Sequence, residues 1–291
     1  MSIIEKAIGK LDQSKGQTLP QDSEGVASQA QQETVSAYTN TTNIDAVNAR
    51  HNSKKIDINL TRLHQLGMLT PDAGRSHLAE EFRVIKRPLI DRALKEGGAS
   101  KRSNLIMVTS CLPKEGKSFT AINLAMSIAK ELDHTVLLVD ADVARPSVLR
   151  YLGIEANVGL MDVLLDEKLD VADVMLRTNI ESLSILPAGR SHKHATELLA
   201  SQTMSDLLSE IANRYPDRIV IFDSPPLLLT TEATVLATQM GQIVMVVEAE
   251  KTTQQAVKNA LRKLEPCKNI NLVFNKARDF PGEEYYGYYY K

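Results

Sequence analysis

What this chain lacks narrows it first. No apolar run approaches the length needed to cross a bilayer. The longest candidates, IVIF before Asp223 and IVMVV after Gln242, are strand-sized. The opening MSIIEKAIGKL is too short and too charged for a secretory signal. Only two cysteines occur, Cys111 and Cys267, far apart. That excludes a disulfide scaffold and points to a reducing compartment. The net charge is −2 and no basic cluster stands out, so the electrostatic footprint of a nucleic-acid binder is missing. A cytoplasmic location is expected, with any membrane association running through a partner.

What remains is a chain of 291 residues, 43% of them hydrophobic, enough for one large domain with extensions. Residues 1–55 hold one short amphipathic pattern (Ile3, Ile4, Ala7, Ile8, Leu11) and are otherwise dominated by Gln, Ser, Thr, Asn and Asp. Such a stretch buries too little apolar surface to offset its ordering entropy, so it is expected to be disordered. Apolar residues return in IDINLTRLHQLGML (56–69), a segment expected to dock on the main domain or on a neighbour. HLAEEFRVIKRPLIDRALK (77–95) reads as a helix with Leu78, Phe82, Ile85, Leu89 and Leu94 along one face. Pro88 is expected to kink or restart it.

From Leu105 onward, apolar strand patterns alternate with amphipathic helices. The strands are LIMVTS (105–110), TVLLVD (135–140), SLSILPA (182–188), RIVIFD (218–223), QIVMVV (242–247) and NLVFN (271–275). This pattern predicts an α/β fold with a mostly parallel, doubly wound sheet covered on both faces. The end is different again: YYGYYYK holds five of the eight tyrosines.

Three motifs carry chemistry. SCLPKEGKS (110–118) follows a strand and opens a helix, the setting a phosphate loop needs. Gly116 permits close backbone approach to phosphates, Lys117 can reach the β- and γ-phosphates, and the Ser118 hydroxyl can bind Mg²⁺. The N–H groups of the helix start add to the cradle, so Pro113, Lys114, Glu115 and Phe119 belong to the candidate nucleotide site as well. Cys111 stands where the usual pattern has its first glycine. VLLVDADVARP (136–146) puts Asp140 and Asp142 at one strand end, and VIFDSPP (220–226) puts Asp223 at another. Ligands of open α/β sheets sit beyond such carboxyl ends. One such aspartate alone would pass for a helix cap or turn former; three at strand ends after a GKS turn point to a shared site. Asp223 is the Walker-B-type residue for the metal. Asp142 or Asp140 can supply a second contact, leaving the other as proton acceptor.

These residues resemble the bacterial tyrosine kinases of polysaccharide export, a branch of the ATPase group that includes MinD and ParA. More narrowly, the chain looks like the exosortase-associated tyrosine autokinases of exopolysaccharide systems. The resemblance covers residues 56–291 and rests on SCLPKEGKS, VLLVDADVARPS, IVIFDSPP, the helix EEFRVIKRPL and the Tyr-rich tail. The sequence departs from the broad family in four places. Cys111 replaces the glycine, Ala144 fills the arginine slot of D-x-D-x-R with Arg145 one later, and Leu112 stands where MinD-like proteins carry a signature lysine. Glu232 and Ala233 replace the frequent Asp-Ala pair.

The resemblance implies a P-loop NTPase-type fold, ATP and Mg²⁺ as cofactors, and residues 101–280 as the kinase domain. It further implies that Glu80, Arg83 and Lys86, one helix stripe within residues 56–100, make an oligomerisation contact. The implied partners are further copies of the chain, the cytoplasmic part of a membrane chain-length-determinant (polysaccharide copolymerase) protein and a protein-tyrosine phosphatase. Residues 281–291 are then a flexible tail whose Tyr285, Tyr286, Tyr288, Tyr289 and Tyr290 are phosphorylated, with Asp140 the candidate base that takes the phenolic proton. NKAR (275–278) sits where related GTPases use N-K-x-D. Arg278 replaces the guanine-reading aspartate, so ATP is expected, with Asn275 near the base. The competing expectations are a MinD/ParA-like switch ATPase and a non-catalytic nucleotide-binding regulator of an export complex.

Overall fold

In a computed structural model of the protein, the structure describes residues 54–72, 74, 76–95, 102–215 and 217–277. Of the N-terminal extension read as residues 1–55, residues 1–53 lie outside the described residues, as do Arg278 and the tyrosine tail; Lys55, expected to be disordered, is paired in the sheet.

A mostly parallel sheet of eight strands forms the centre. In chain order they are β1 (Lys55–Ile56), β2 (Leu105–Ser110), β3 (Thr135–Asp140), β4 (Leu176–Thr178), β5 (Leu183–Leu186), β6 (Arg218–Asp223), β7 (Gln242–Glu248) and β8 (Ile270–Asn275). They lie side by side as β1-β4-β5-β3-β6-β2-β7-β8. All neighbours are parallel except β4 and β5, so β1 and β4 run against the other six. The six strands read from the sequence are present. The two not read, β1 and β4, are two and three residues long, too short to show a period.

Burial explains why the central strands are uninterrupted apolar runs. Every residue of β2 is buried, because both faces of the sheet are covered. One face carries Met107, Leu137, Val139, Phe222 and Met245. Over it pack α5 (Leu160–Leu165), α7 (Ala195–Leu199), α8 (Gln202–Arg214) and α9 (Glu232–Ala237), through Leu160, Leu199, Leu208 and Leu236. The other face carries Ile106, Val108, Leu138, Ile221 and Val244. It is covered by α2 (His77–Lys95), α3 (Lys117–Ile128) and α4 (Val148–Leu152), together with Leu63 of α1 (Leu60–Gln65). The short α6 (Val171–Val174) precedes β4, and α10 (Gln254–Lys263) joins β7 to β8. Among the described residues, no helix is long and apolar enough to cross a membrane.

The described residues between 56 and 95 are built into this unit. Ile58, Leu63, Met68 and Leu69 are buried, and the Leu69 N–H donates to Asn123 Oδ1 in α3 at 2.6 Å. In α2, Phe82, Leu89 and Ile90 are buried and Leu94 is half exposed. The helix runs unbroken through Pro88, which is exposed.

The stripe read as a subunit contact splits in two. Glu80 and Arg83 form a surface ion pair. Lys86 is 5% exposed; its ammonium donates to Ser127 O at 2.6 Å and pairs with Glu131 at 2.6 Å. That is a bond within the chain, so Lys86 ties α2 to the end of α3 and is not available to a neighbour. Lys86→Ala is expected to lower stability by about 2 kcal/mol, since Glu131 keeps partial access to water while the Ser127 carbonyl loses its donor. Chemical denaturation of the two proteins checks this; an unchanged midpoint would show that the tie is dispensable.

Candidate active site

The parallel strands end along one edge, and the site is built there. The order β3-β6-β2 sets the phosphate loop next to Asp223 and Asp223 next to Asp140. Asp140 and Asp223 are direct register partners, and Asp223 lies opposite Val108 of β2. Beyond these ends opens a cavity of about 1250 Å³. Its lining includes Pro113, Lys114, Gly116, Lys117, Ser118, Phe119, Asp142 and Asn275 from the sequence-derived set. Glu115, Asp140 and Asp223 lie behind that wall, 2%, 0% and 0% exposed.

The loop between β2 and α3 is held by its own residues and by the ends of β7 and β8. Gly116 has φ +105°, and a Cβ there would sit 1.9 Å from Asn275 Nδ2. Only glycine fits both the backbone and the space. Asn275 uses that nitrogen to donate to Glu115 O at 2.8 Å. Glu115 turns inward: its carboxylate accepts the Leu112 N–H at 2.8 Å and the Thr252 hydroxyl. Lys276 donates to Lys114 O at 2.7 Å and pairs with Glu248 at 3.1 Å. Burial and the Glu115 charge push the Cys111 thiol up to about 11, so this cysteine is an inert filler beneath the loop.

Lys117 points from the start of α3 to the acidic strand ends. Its ammonium donates to Asp142 Oδ2 at 2.7 Å and lies 3.5 Å from Asp223 Oδ1. Burial opposes the charge on Lys117, but Asp223 and Asp142 outweigh it and hold its pKa above the usual lysine value. Burial raises the pKa of Asp223 against the opposing pull of Lys117. Asp223 Oδ1 is buried without a hydrogen-bond partner. Ser147 bridges the two motifs, donating to Ser118 Oγ at 2.8 Å and approaching Asp223 Oδ2 at 3.4 Å.

Asp140 and Asp142 have different surroundings. Asp140 Oδ2 accepts the N–H groups of Ser147 and Val148, both at 2.9 Å, and thereby caps α4. Burial, then the neighbouring Asp223 charge, pushes Asp140 up to about 7. Asp142 faces the cavity and also accepts the Arg145 N–H at 3.2 Å. The expectation that Asp140 is the base meets a geometric objection: it is 0% exposed and outside the cavity lining, whereas Asp142, 5% exposed, is part of that lining.

A family model described as an AAA domain matches residues 103–276. Tyrosine-protein kinase YwqD of Bacillus subtilis (strain 168) is 32% identical over 231 residues, covering 77% of this chain and 92% of that protein. The chain belongs to the bacterial tyrosine-protein kinases. The VpsO kinase domain, a solved structure, matches with TM-score 0.56 at 26% identity, over 70% of this chain and all of that one. The succinoglycan biosynthesis transport protein ExoP of Rhizobium meliloti (strain 1021) is 32% identical over 240 residues, 78% of this chain. The chain spans only 29% of ExoP.

For this member of the family, the structure adds residues that motif reading passed over. Ser147 lies within VLLVDADVARPS and Lys276 within NKAR, but neither motif's pattern gives that residue a role, and Thr252 carries no local signal; only the parallel pairing of β2, β7 and β8 brings Thr252 and Lys276 to the loop. Their contribution can be measured. Glu115→Ala should weaken ATP binding by about tenfold, because the loop loses its internal acceptor. Glu115→Gln should restore most of the affinity, since an amide can accept from Leu112 and donate to Thr252. Equal Kd values for wild type and Glu115→Ala, read by calorimetry, would show that the brace does not set the loop.

Proposed function

We propose that this kinase transfers the γ-phosphoryl group of ATP to Tyr285, Tyr286, Tyr288, Tyr289 and Tyr290 of another copy of the chain. The observation carrying this reading is the convergence of Lys117, Ser118, Asp142 and Asp223 beside one large cavity, with the tyrosine run following the strand whose end lines it.

The donor set suits Mg²⁺. Asp223 Oδ1 is buried with no hydrogen bond, 3.5 Å from the Lys117 ammonium, the Ser118 hydroxyl bonds the same carboxylate, and Mg²⁺ bound with phosphates needs few protein oxygens. Ser118 and Asp223 would hold it, and it would neutralise charge on the β- and γ-phosphates. The chain's own residues do the rest. Loop N–H groups at the start of α3 bind phosphate oxygens. Lys117 exchanges Asp142 for the γ-phosphate and stabilises charge on the transferring group. Asp142, released from that pair, accepts the phenolic proton of a tyrosine whose pKa is otherwise near 10. Asp142 is preferred to Asp140 as the base because it belongs to the cavity lining, whereas Asp140 is fully buried and bonds the start of α4.

From Asp279 to Tyr290 the chain reaches at most about 40 Å, comparable to a domain diameter, so a neighbouring cavity is within range. The exposed Glu80–Arg83 stripe of α2 offers the contact that would hold neighbours in register. A cytoplasmic site of action, regulation of exopolysaccharide polymerisation or export, recruitment by a membrane polysaccharide copolymerase and reversal by a phosphatase belong to the same reading. ExoP's name supports the polysaccharide link.

The test mixes an inactive Lys117→Met chain bearing the tail with an active chain lacking residues 285–291, in Mg-ATP, and maps phosphate by mass spectrometry. Tyrosine phosphate on the inactive chain is the expected result. Free phosphate without tyrosine label would instead make the protein a switch ATPase. ATP binding with neither product would make it a regulator.

A further inference from the structure

The cavity is larger than a nucleotide requires. Its volume of about 1250 Å³ exceeds the range of about 300–1,000 Å³ that small-molecule sites occupy. The cavity is strongly basic: Lys114, Lys117, Arg145, Arg150 and Lys276 line it, and Asp142 is the single carboxylate among the lining residues. Lys117 pairs with Asp142 and Lys276 with Glu248. Arg145 and Arg150 are exposed on the β3–α4 side, and no ion pair engages either among the described residues. Beside them the wall turns apolar, with Phe119, Tyr151, Pro225, Pro226 and Leu229; Leu229 is 62% exposed.

The phosphate loop and Lys117 account for the phosphates. Arg145, Arg150 and the wall of Tyr151, Pro225, Pro226 and Leu229 lie outside the set assigned to the nucleotide. A ligand matching both is an extended peptide with carboxylates beside aromatic rings. This chain contains one: Glu283 and Glu284 directly precede Tyr285 and Tyr286.

Building on the kinase reading above, we infer that Arg145 and Arg150 are an acceptor-recognition site. They receive Glu283 and Glu284 of a second copy while the following tyrosine rings lie on the apolar wall. The enzyme is thereby specific for acidic–aromatic tyrosine segments. The pairing orients the acceptor, with glutamates toward the arginines and the hydroxyl toward Asp142. Because the pairs are solvent-facing, they govern acceptor KM and salt sensitivity, and leave the transfer step itself unchanged.

The experiment uses full chains. The acceptor is the Lys117→Met protein with its tail intact or carrying Glu283→Gln and Glu284→Gln; the donor is the active chain lacking residues 285–291. Two such pairs together are worth about tenfold in affinity. The glutamine acceptor should therefore show a KM about tenfold higher with kcat within twofold, and the difference should shrink in high salt. A donor carrying Arg145→Glu and Arg150→Glu should prefer an acceptor carrying Glu283→Lys and Glu284→Lys. Its ATP Kd should stay unchanged, which also reports that it is folded. Equal KM values for the glutamate and glutamine acceptors would overturn the site, as would failure of the charge swap in a donor that still binds ATP. No label on any acceptor by an ATP-bound donor would overturn the kinase reading, and this one with it.

Discussion

Lys117→Met is expected to reduce tyrosine phosphorylation by at least about 10²–10³-fold, the usual loss when a preorganised charge at the reacting group is removed. The ammonium bonds Asp142 at 2.7 Å and lies 3.5 Å from Asp223, so it is held beside the acidic strand ends, from which it turns to the transferring group. Methionine keeps the length and packing of the stem but leaves the carboxylates of Asp140, Asp142 and Asp223 without a cation. Burial already raises the pKa of Asp140 and Asp223, so these two will respond by retaining a proton, which limits the damage to the fold. Mass-spectrometric initial rates and a thermal melt on the same preparation check both halves. Wild-type labelling from the purified variant would show that the phosphoryl group is handled elsewhere.

Asp142→Asn is the second large effect, expected at about 10²–10⁴-fold in kcat, the range for loss of a positioned general base. Asp140→Asn should be milder, within about tenfold, because asparagine retains an oxygen for the N–H groups of Ser147 and Val148. Asp223→Asn should lose activity by weakening metal retention, and raised Mg²⁺ should recover part of it. Raised Mg²⁺ should not recover Asp142→Asn. The decisive comparison is the single-turnover rate of the three variants across Mg²⁺ concentrations. If Asp140→Asn falls as far as Asp142→Asn, the proton goes to Asp140 and the assignment made from the cavity wall is wrong.

The long strands were legible in the sequence because a strand buried on both faces is an unbroken apolar run, as in LIMVTS and RIVIFD. The phosphate loop was legible because its chemistry is local: backbone, Lys117 and Ser118 are contiguous. β1 and β4 were not legible, since their identity lies in pairing partners distant in sequence. The same limit hid Thr252 and Lys276, whose partners are Glu115 and Lys114. It also blurred Asp140 and Asp142, two residues apart, for which sequence offers no way to tell the carboxylate that caps a helix from the one that faces the cavity. Lys86 fell in step with Glu80 and Arg83 by spacing, but spacing does not say which side of a stripe is covered.

The strand order has a consequence for the history of each molecule. β2 is flanked by β6 and β7, and its loop is braced by Asn275 at the end of β8. On a ribosome the loop sequence emerges early, yet more than 150 residues must follow before Asn275 can reach Glu115. Such non-local pairing closes slowly, while synthesis proceeds at about 5–20 residues per second. The nascent chain therefore carries a phosphate motif long before it carries a phosphate site. Asn275 emerges only ten residues ahead of Tyr285, so a newly made molecule has no completed phosphate site until its last residues are about to appear.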